Sequence, residues 1–540
     1  MKQVFYNADI ITMDGNRTEA DAMVIEDGII LRVGSKAEFE HMDAKYLDME
    51  GKTILPGFID GHSHIVSTIY DMMMANANPS PKGCCDSIPE LIESLKKQYE
   101  EYKKRLKPEE WFMAMGYDES AYPNHSLPTK YDLDQICPDR PMCCVHASGH
   151  NAVFNSLALK ACGIDENYVV PSGGAMPKLT GTNEYSGLLQ ETAFINLAGS
   201  MKVPGAEAMF EALQRCVQMY ASYGITTAQD GKSSEKDLRL LKMADAQGLL
   251  KQDIVCYIDP PVCETNLPKE YPAKNPYQGH VRYAGYKLFL DGSPQAKTAW
   301  LTKSYYEVPE GKDDEYCGFP SMSDEEALKH METCLQNNWQ INVHTNGDAA
   351  IDQFLRCYAK ALEKYPDRDN LRPVFIHCQT VREDQLDLIK KQKMLISFFE
   401  DHVYYWGDYH YDSVLGPDRA ERISPLASAI NRGINCTLHQ DTPVVQPDVL
   451  FAVHNAVNRM TKAGRVLGKE QRVSIYDALR VVTYAGAYQI FEEDTKGSLE
   501  PGKYADLVVL DQNPLKVSVE RIKDITVLET IKNGISIYRK

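Results

Sequence analysis

LPGFIDGHSHI, residues 55–65, sets two histidines one residue apart directly after a short apolar run. In an extended strand side chains alternate between faces, so His62 and His64 would point to one side and their imidazoles could converge on one point. A surface or loop-capping pair has the same spacing. The reading therefore turns on whether the rest of the chain supplies partners for these rings.

Seven further β-like runs follow: GITTAQD (224–230), DIVCYID (253–259), YKLFLDG (286–292), QINVHTNGD (340–348), PVFIHCQ (373–379), KMLISFF (393–399) and INCTLHQD (434–441). They alternate with helical stretches, the pattern of βα units on a parallel sheet. Eight such units predict an α/β fold of the (β/α)8, or TIM-barrel, type. One helix is expected from the capping box Ser323-x-x-Glu326, with Leu328, Met331, Cys334 and Leu335 as its apolar stripe. Another is expected from Ser474 through IYDALRVVTYAGAYQIF, and both stripes read as core.

About residues 75–205 separate the first two runs, too long for an ordinary βα connection. They read as an inserted subdomain covering the barrel mouth, with CVHASGHNAVFNS facing the site. Asp27-Gly28 and Asn533-Gly534 each sit between apolar strands, as type I′ hairpins do. Each chain end is too small to bury a core alone. Residues 1–55 and 493–540 are thus expected to form one small β-sandwich domain around the (β/α)8 barrel at 56–492.

The chain has 540 residues, 43% of them hydrophobic, enough for a sizeable core. A net charge of -18 and a pI near 5.3 argue against a phosphate-backbone partner, which clustered Lys and Arg would hold. The first segment, broken by Asn7, Asp9 and Asp14, lacks a signal peptide's apolar stretch, and no run approaches the ~20 apolar residues of a membrane span. A cytoplasmic protein is the expectation, and the fourteen cysteines are expected as reduced thiols.

In such a barrel the reacting groups sit at the carboxyl ends of strands. His62 and His64 end the first run, Lys287 lies in the fourth, and His344, His377 and Asp441 end the fifth, sixth and eighth. Imidazoles and a carboxylate converging on one point make a divalent-metal site, and zinc suits N and O ligands. Lys287 has two readings. It could pair with Asp291 on the same strand face. Alternatively, a depressed pKa could let its neutral amine take up carbon dioxide as a carbamate that bridges two metals.

These segments resemble the metal-dependent amidohydrolase superfamily, in particular its branch of large enzymes similar to N-substituted formamide deformylase, the amidohydrolase family 3 type. LPGFIDGHSH looks like the first-strand metal motif, YKLFLDGSPQAKTA like the lysine strand, and VHTNGDAAID and IHCQTV like the two single-histidine strands. FFEDHVYYWGDYH, LGPDRAERISPL and HQDTPV look like late-barrel segments, and GSLEPGKYADLVVLDQNP like the closing β-strands. The resemblance implies that His62 and His64 bind one ion, carboxylated Lys287 bridges, His344 and His377 hold a second, and Asp441 is ligand and base. With one ion, His377 becomes a hydrogen-bonding or general-acid residue. His439-Gln440 stands where a small pair such as Gly-Ser is usual, which changes the pocket wall.

The implied chemistry is hydrolysis of an amide, N-acyl or N-formyl C–N bond of a small molecule. Metal-bound hydroxide attacks, and Asp441 takes the water's proton and passes it to the leaving nitrogen. His150, Asp291, His402 and His439 are candidate substrate contacts, with Asp230 in the same position. Tyr404, Tyr405 and Trp406 hint at a partly apolar substrate. The alternatives are a hydrolytic deaminase using one ion and, in another class, a non-catalytic metal-binding regulator on the same fold. A homodimer is the expected assembly.

Overall fold

The computed structural model describes residues 2–80, 82–123, 126–147, 151–171, 174–197, 200–202, 205–260, 275–309 and 311–540. An eight-stranded parallel sheet carries the middle of the chain. Its strands are Phe58–Ile59 (β1), Ile225–Ser233 (β2), Asp253–Ile258 (β3), Val281–Phe289 (β4), Gln340–Thr345 (β5), Val374–His377 (β6), Leu395–Phe398 (β7) and Cys436–Leu438 (β8). They lie side by side in chain order. The Gly61 amide donates to the Leu438 carbonyl at 3.2 Å, joining the end of β1 to the end of β8. All eight predicted runs are strands of this α/β fold. Every residue of β3, β6, β7 and β8 is buried, as a parallel sheet covered on both faces requires.

The predicted capping box is present: Glu326 N–H donates to Ser323 Oγ at 3.3 Å, and Ser323 N–H donates to Glu326 Oε2 at 2.9 Å. The helix Asp324–Asn337 buries Ala327, Met331, Cys334 and Leu335. Leu328, expected in that stripe, is half-buried at its edge. The helix expected from Ser474 onward is two helices, Ile475–Val481 and Tyr484–Gln489. Thr483 breaks it: its backbone leaves the helical region, and its hydroxyl donates to the Leu479 carbonyl at 2.7 Å. A β-branched run, Val481-Val482-Thr483, offers little resistance to such a break.

The chain divides into two compact units, one of residues 1–66 with 217–540 and one of residues 67–216. In the first, strands from both chain ends share one eight-stranded sheet, with Thr53–Pro56 antiparallel to Leu507–Leu510. Phe5, Ile10, Met23, Ile25, Ile54, Leu507, Val509 and Ile531 pack into its core. Asp27-Gly28 and Asn533-Gly534 all have positive φ, as type I′ turns demand. The opening stretch is thus shared between sheets: Leu55 and Pro56 belong to the terminal one, Phe58 and Ile59 to the parallel one. Gly57 makes the change, where a Cβ would lie 2.4 Å from the Thr226 side chain.

A buried ion network ties the start of β3 to the terminal sheet. Asp253 Oδ2 meets Lys496 Nζ at 2.6 Å and Lys532 Nζ at 2.8 Å, and Lys532 also meets Asp506 at 2.7 Å. Glu492 continues it to Arg282 at 2.7 Å. The second unit has a six-stranded sheet whose Phe112–Tyr117 and Met142–His146 run parallel at its centre. Its core includes Leu91, Leu95, Phe112, Leu133 and Met142. Among the described residues no helix is long and apolar enough to cross a membrane, and the cysteines are free thiols.

Candidate active site

His62 and His64 do not lie on a strand, since β1 ends at Ile59. Alternation is therefore not what brings them together. The chain bends through Asp60 and Gly61, and hydrogen bonds hold the bend on both sides. His64 N–H donates to the Thr442 carbonyl at 2.8 Å, and Ser63 Oγ–H to the Gln229 carbonyl at 3.0 Å. Gly61 permits the close approach to β8, because a Cβ there would sit 2.6 Å from the Leu438 carbonyl oxygen. The two imidazole centroids end 4.9 Å apart, edge to face.

Asp441 meets them from beyond β8. Its Oδ1 lies 3.4 Å from His64 Nε2 and 3.7 Å from His62 Nε2. One ligand atom from each of these three residues lies within 4.8 Å of those of the other two. Asp441 and His377 both have left-handed backbone (φ 53° and 71°), strain of the kind that clusters at functional sites. Burial works to raise the Asp441 pKa, but facing His64, His439 and Lys287 outweigh it and hold the carboxyl well below the usual range. Burial holds His62 well below an ordinary histidine, with Lys287 adding to the effect. His62 is thus a neutral imidazole beside an ionised Asp441, the protonation state metal ligands need.

Lys287, on β4, is 1% exposed. Its Nζ lies 2.9 Å from His62 Nε2, so the amine reaches the same centre. The ion pair with Asp291 is not formed: Asp291 oxygens accept the backbone N–H groups of Asn346, Gly347 and Trp300 at 3.0, 2.7 and 3.1 Å. Burial lowers the Lys287 pKa to about 7, with Asp441 pulling the other way. A neutral amine is thus well populated near neutral pH.

His377 Nε2 reaches 3.9 Å from Asp441 Oδ2. His344 stacks edgewise on His377, centroids 4.7 Å apart, but turns its Nε2 toward the Asn346 amide at 3.3 Å and its Nδ1 toward Asp291 at 3.3 Å. Asp291, expected at the substrate, is buried and spends both oxygens on the loop after β5. His439, expected there too, is 0% exposed and packs behind His377, its Nε2 3.1 Å from His377 Nδ1. His402 is buried beside Phe399, 6.1 Å between ring centroids from His377. Asp230 is buried and accepts Val66 N–H at 3.2 Å and the Ser233 hydroxyl, so it braces the bend after His64. His150 lies outside the described residues.

Two features escaped the sequence reading. Asp60, buried with its pKa raised to about 6 by desolvation, accepts His62 N–H at 3.2 Å. In the second unit, Asp118, Glu119 and His146 bring ligand atoms within 4.8 Å of one another just past the carboxyl ends of two parallel strands. His146 belongs to the polar stretch CVHASGHNAVFNS; the carboxylates carried no comparable signal.

The residues at the first centre fit a divalent cation. Asp441 Oδ1 is buried and has no hydrogen-bond donor in line, and two imidazole nitrogens face it. Burying such a carboxylate without a cation or donor is costly. A profile of the amidohydrolase family matches residues 45–538. N-substituted formamide deformylase of Arthrobacter pascens is 26% identical over 99% of this chain and 98% of its own. Protein LONG AFTER FAR-RED 3 of Arabidopsis thaliana is 27% identical over 98% of this chain and 91% of its own. Among solved structures, an uncharacterized metal-dependent hydrolase of Pyrococcus furiosus shares the fold at a TM-score of 0.75 and 24% identity, over 96% of this chain and 100% of its own. With the profile running from the terminal sheet through all eight parallel strands, the chain belongs to the amidohydrolase family.

Proposed function

We propose that the chain hydrolyses a C–N bond of a small molecule, in an amide, N-acyl or N-formyl group, at the centre formed by His62, His64 and Asp441. The scaffold in this reading is a closed (β/α)8 barrel with an inserted subdomain and a terminal β-sandwich. The observation that carries it is the convergence of ligand atoms of those three side chains within 4.8 Å of one another, with Asp441 Oδ1 buried among them. A divalent ion, with zinc suited to the N,N,O donor set, would be held by His62, His64 and Asp441, one or two ions per chain. When bound it supplies an acidified water and a polarised substrate carbonyl.

The protein's own groups do the rest. Asp441 accepts the attacking water's proton and returns it to the leaving nitrogen, which departs as an amine. His377 faces the same centre from β6. Lys287, as a neutral amine, would combine with carbon dioxide to give a carbamate and a proton, and the carbamate oxygens would be further ligands for an ion.

Metal analysis and products test this. About two equivalents per chain, from protein purified without chelator and with bicarbonate, support the bridged site; about one leaves Lys287 as a buried amine. Turnover of N-formyl or N-acyl amines to a carboxylic acid plus an amine supports the hydrolase, whereas release of ammonia from an amidine-like carbon supports a deaminase. The deaminase reading draws on the convergence of three ligands rather than the six of the two-ion set. Asp441→Asn should lower kcat by roughly 10²–10⁴ with the circular dichroism unchanged. Full activity in that variant would sink the mechanism.

A further inference from the structure

Behind His377 stands a second row of buried polar groups. His377 Nδ1 lies 3.1 Å from His439 Nε2, and His439 Nδ1 lies 2.8 Å from Ser397 Oγ. All three residues are buried, His439 and Ser397 completely. His377 Nε2 points the other way, to 3.9 Å from Asp441 Oδ2.

A neutral imidazole carries one N–H, so each ring in this row donates at one nitrogen and accepts at the other. Two arrangements are possible. In one, His377 donates from Nδ1, His439 passes a proton toward Ser397, and His377 Nε2 offers a lone pair to an ion. In the other, the Ser397 hydroxyl donates to His439 Nδ1, His439 Nε2–H donates to His377 Nδ1, and His377 carries its proton on Nε2, facing the site.

Ser397 decides between them. Among the described residues its Oγ has one hydrogen-bond partner, His439 Nδ1. In the first arrangement the hydroxyl hydrogen is left buried without an acceptor. In the second every hydrogen of the row is used, and the last one points at the Asp441 carboxylate.

We infer that Ser397 and His439 are positioning residues that fix His377 as the tautomer protonated on Nε2, so that it gives a hydrogen bond into the site and no lone pair to an ion. This rests on the hydrolase reading above and deepens it. The ion is held by His62, His64 and Asp441, while the His377 N–H is aimed at the substrate or at the group leaving it.

The test is the protonation pattern of His377 in protein labelled with 15N on histidine, assigned by loss of its signals in His377→Asn. The expected result is a proton on Nε2 in the wild type and a mixture of both tautomers in Ser397→Ala. Zinc content gives a second readout: His377→Asn should keep the wild-type zinc per chain while turnover falls about 100-fold or more, and His62→Asn should lose zinc at least tenfold. A His377 proton on Nδ1 in the wild type, or zinc lost from His377→Asn, overturns the inference. Wild-type protein that binds no zinc would instead overturn the hydrolase reading, and the tautomer measurement would still decide the direction of the row.

Discussion

At the scale of single residues, burial sets protonation outside the candidate site as well. Asp401 has its pKa raised to about 8 by desolvation, against a partial offset from the Asn455 amide that donates to it at 2.6 Å. The unfolded carboxyl titrates near 3.9. Between about pH 4 and 8 the folded chain therefore holds a proton that the unfolded chain has lost, and stability falls as pH rises through that window. Asp401→Asn removes the term while keeping an acceptor for Asn455. The melting-temperature difference in favour of the variant should widen from pH 5 to pH 8, and parallel curves would contradict the assignment. His62, His64 and Asp441 were legible because each stands as a polar residue at the end of an apolar run. Ser397 was not, because a serine inside LISF has the look of any small strand residue until its neighbour across the sheet is known.

At the scale of elements, strand positions were legible and strand ends were not. Short β-like runs marked all eight strands, but β1 is two residues long and hands its preceding residues to another sheet. No local pattern announces that handover, since Leu55 and Phe58 are equally apolar. The histidine pair then converges through a bend held by Thr442, Gln229 and Asp230, all distant in sequence. β2 bears on this geometry directly. Gly231 lies beside the His62 ring, and a Cβ there would come 2.0 Å from Cε1. Gly231→Ala should push the imidazole aside and weaken zinc binding by about 10–100-fold, the range for disturbed ligand support. Calorimetric titration of the zinc-free protein would measure it, and unchanged affinity would place His62 outside the ligand set.

At the scale of the whole chain, the size of each terminus pointed to the pairing of the two, and strands of both do share one sheet. What stayed out of reach was the ion network beneath, whose members span from Asp253 to Lys532 and look like ordinary surface charges in the sequence. Burial would raise the Asp253 pKa, but Lys496 and Lys532 outweigh it and hold it far below the normal range. Its contribution to stability is therefore present above the unfolded value near 3.9 and is lost as pH falls below it. Lys532→Met leaves Asp253 and Asp506 short of a buried cation and should cost about 3–5 kcal/mol. Urea denaturation at pH 7 measures this, with a larger gap expected at pH 7 than at pH 3.

The pairing of Thr53–Pro56 with Leu507–Leu510 also has a consequence in time. Thr53–Pro56 must wait for strands synthesised much later. At about 5–20 residues per second, the roughly 450 residues between them take on the order of half a minute to a minute and a half to synthesise. Throughout that interval Ile54 and its neighbours present an unpaired strand edge, the kind of surface that recruits chaperones or a second nascent chain. The step that completes this sheet is then the arrival of Leu507–Leu510, and any ribosome that stalls before residue 507 leaves Thr53–Pro56 without that partner.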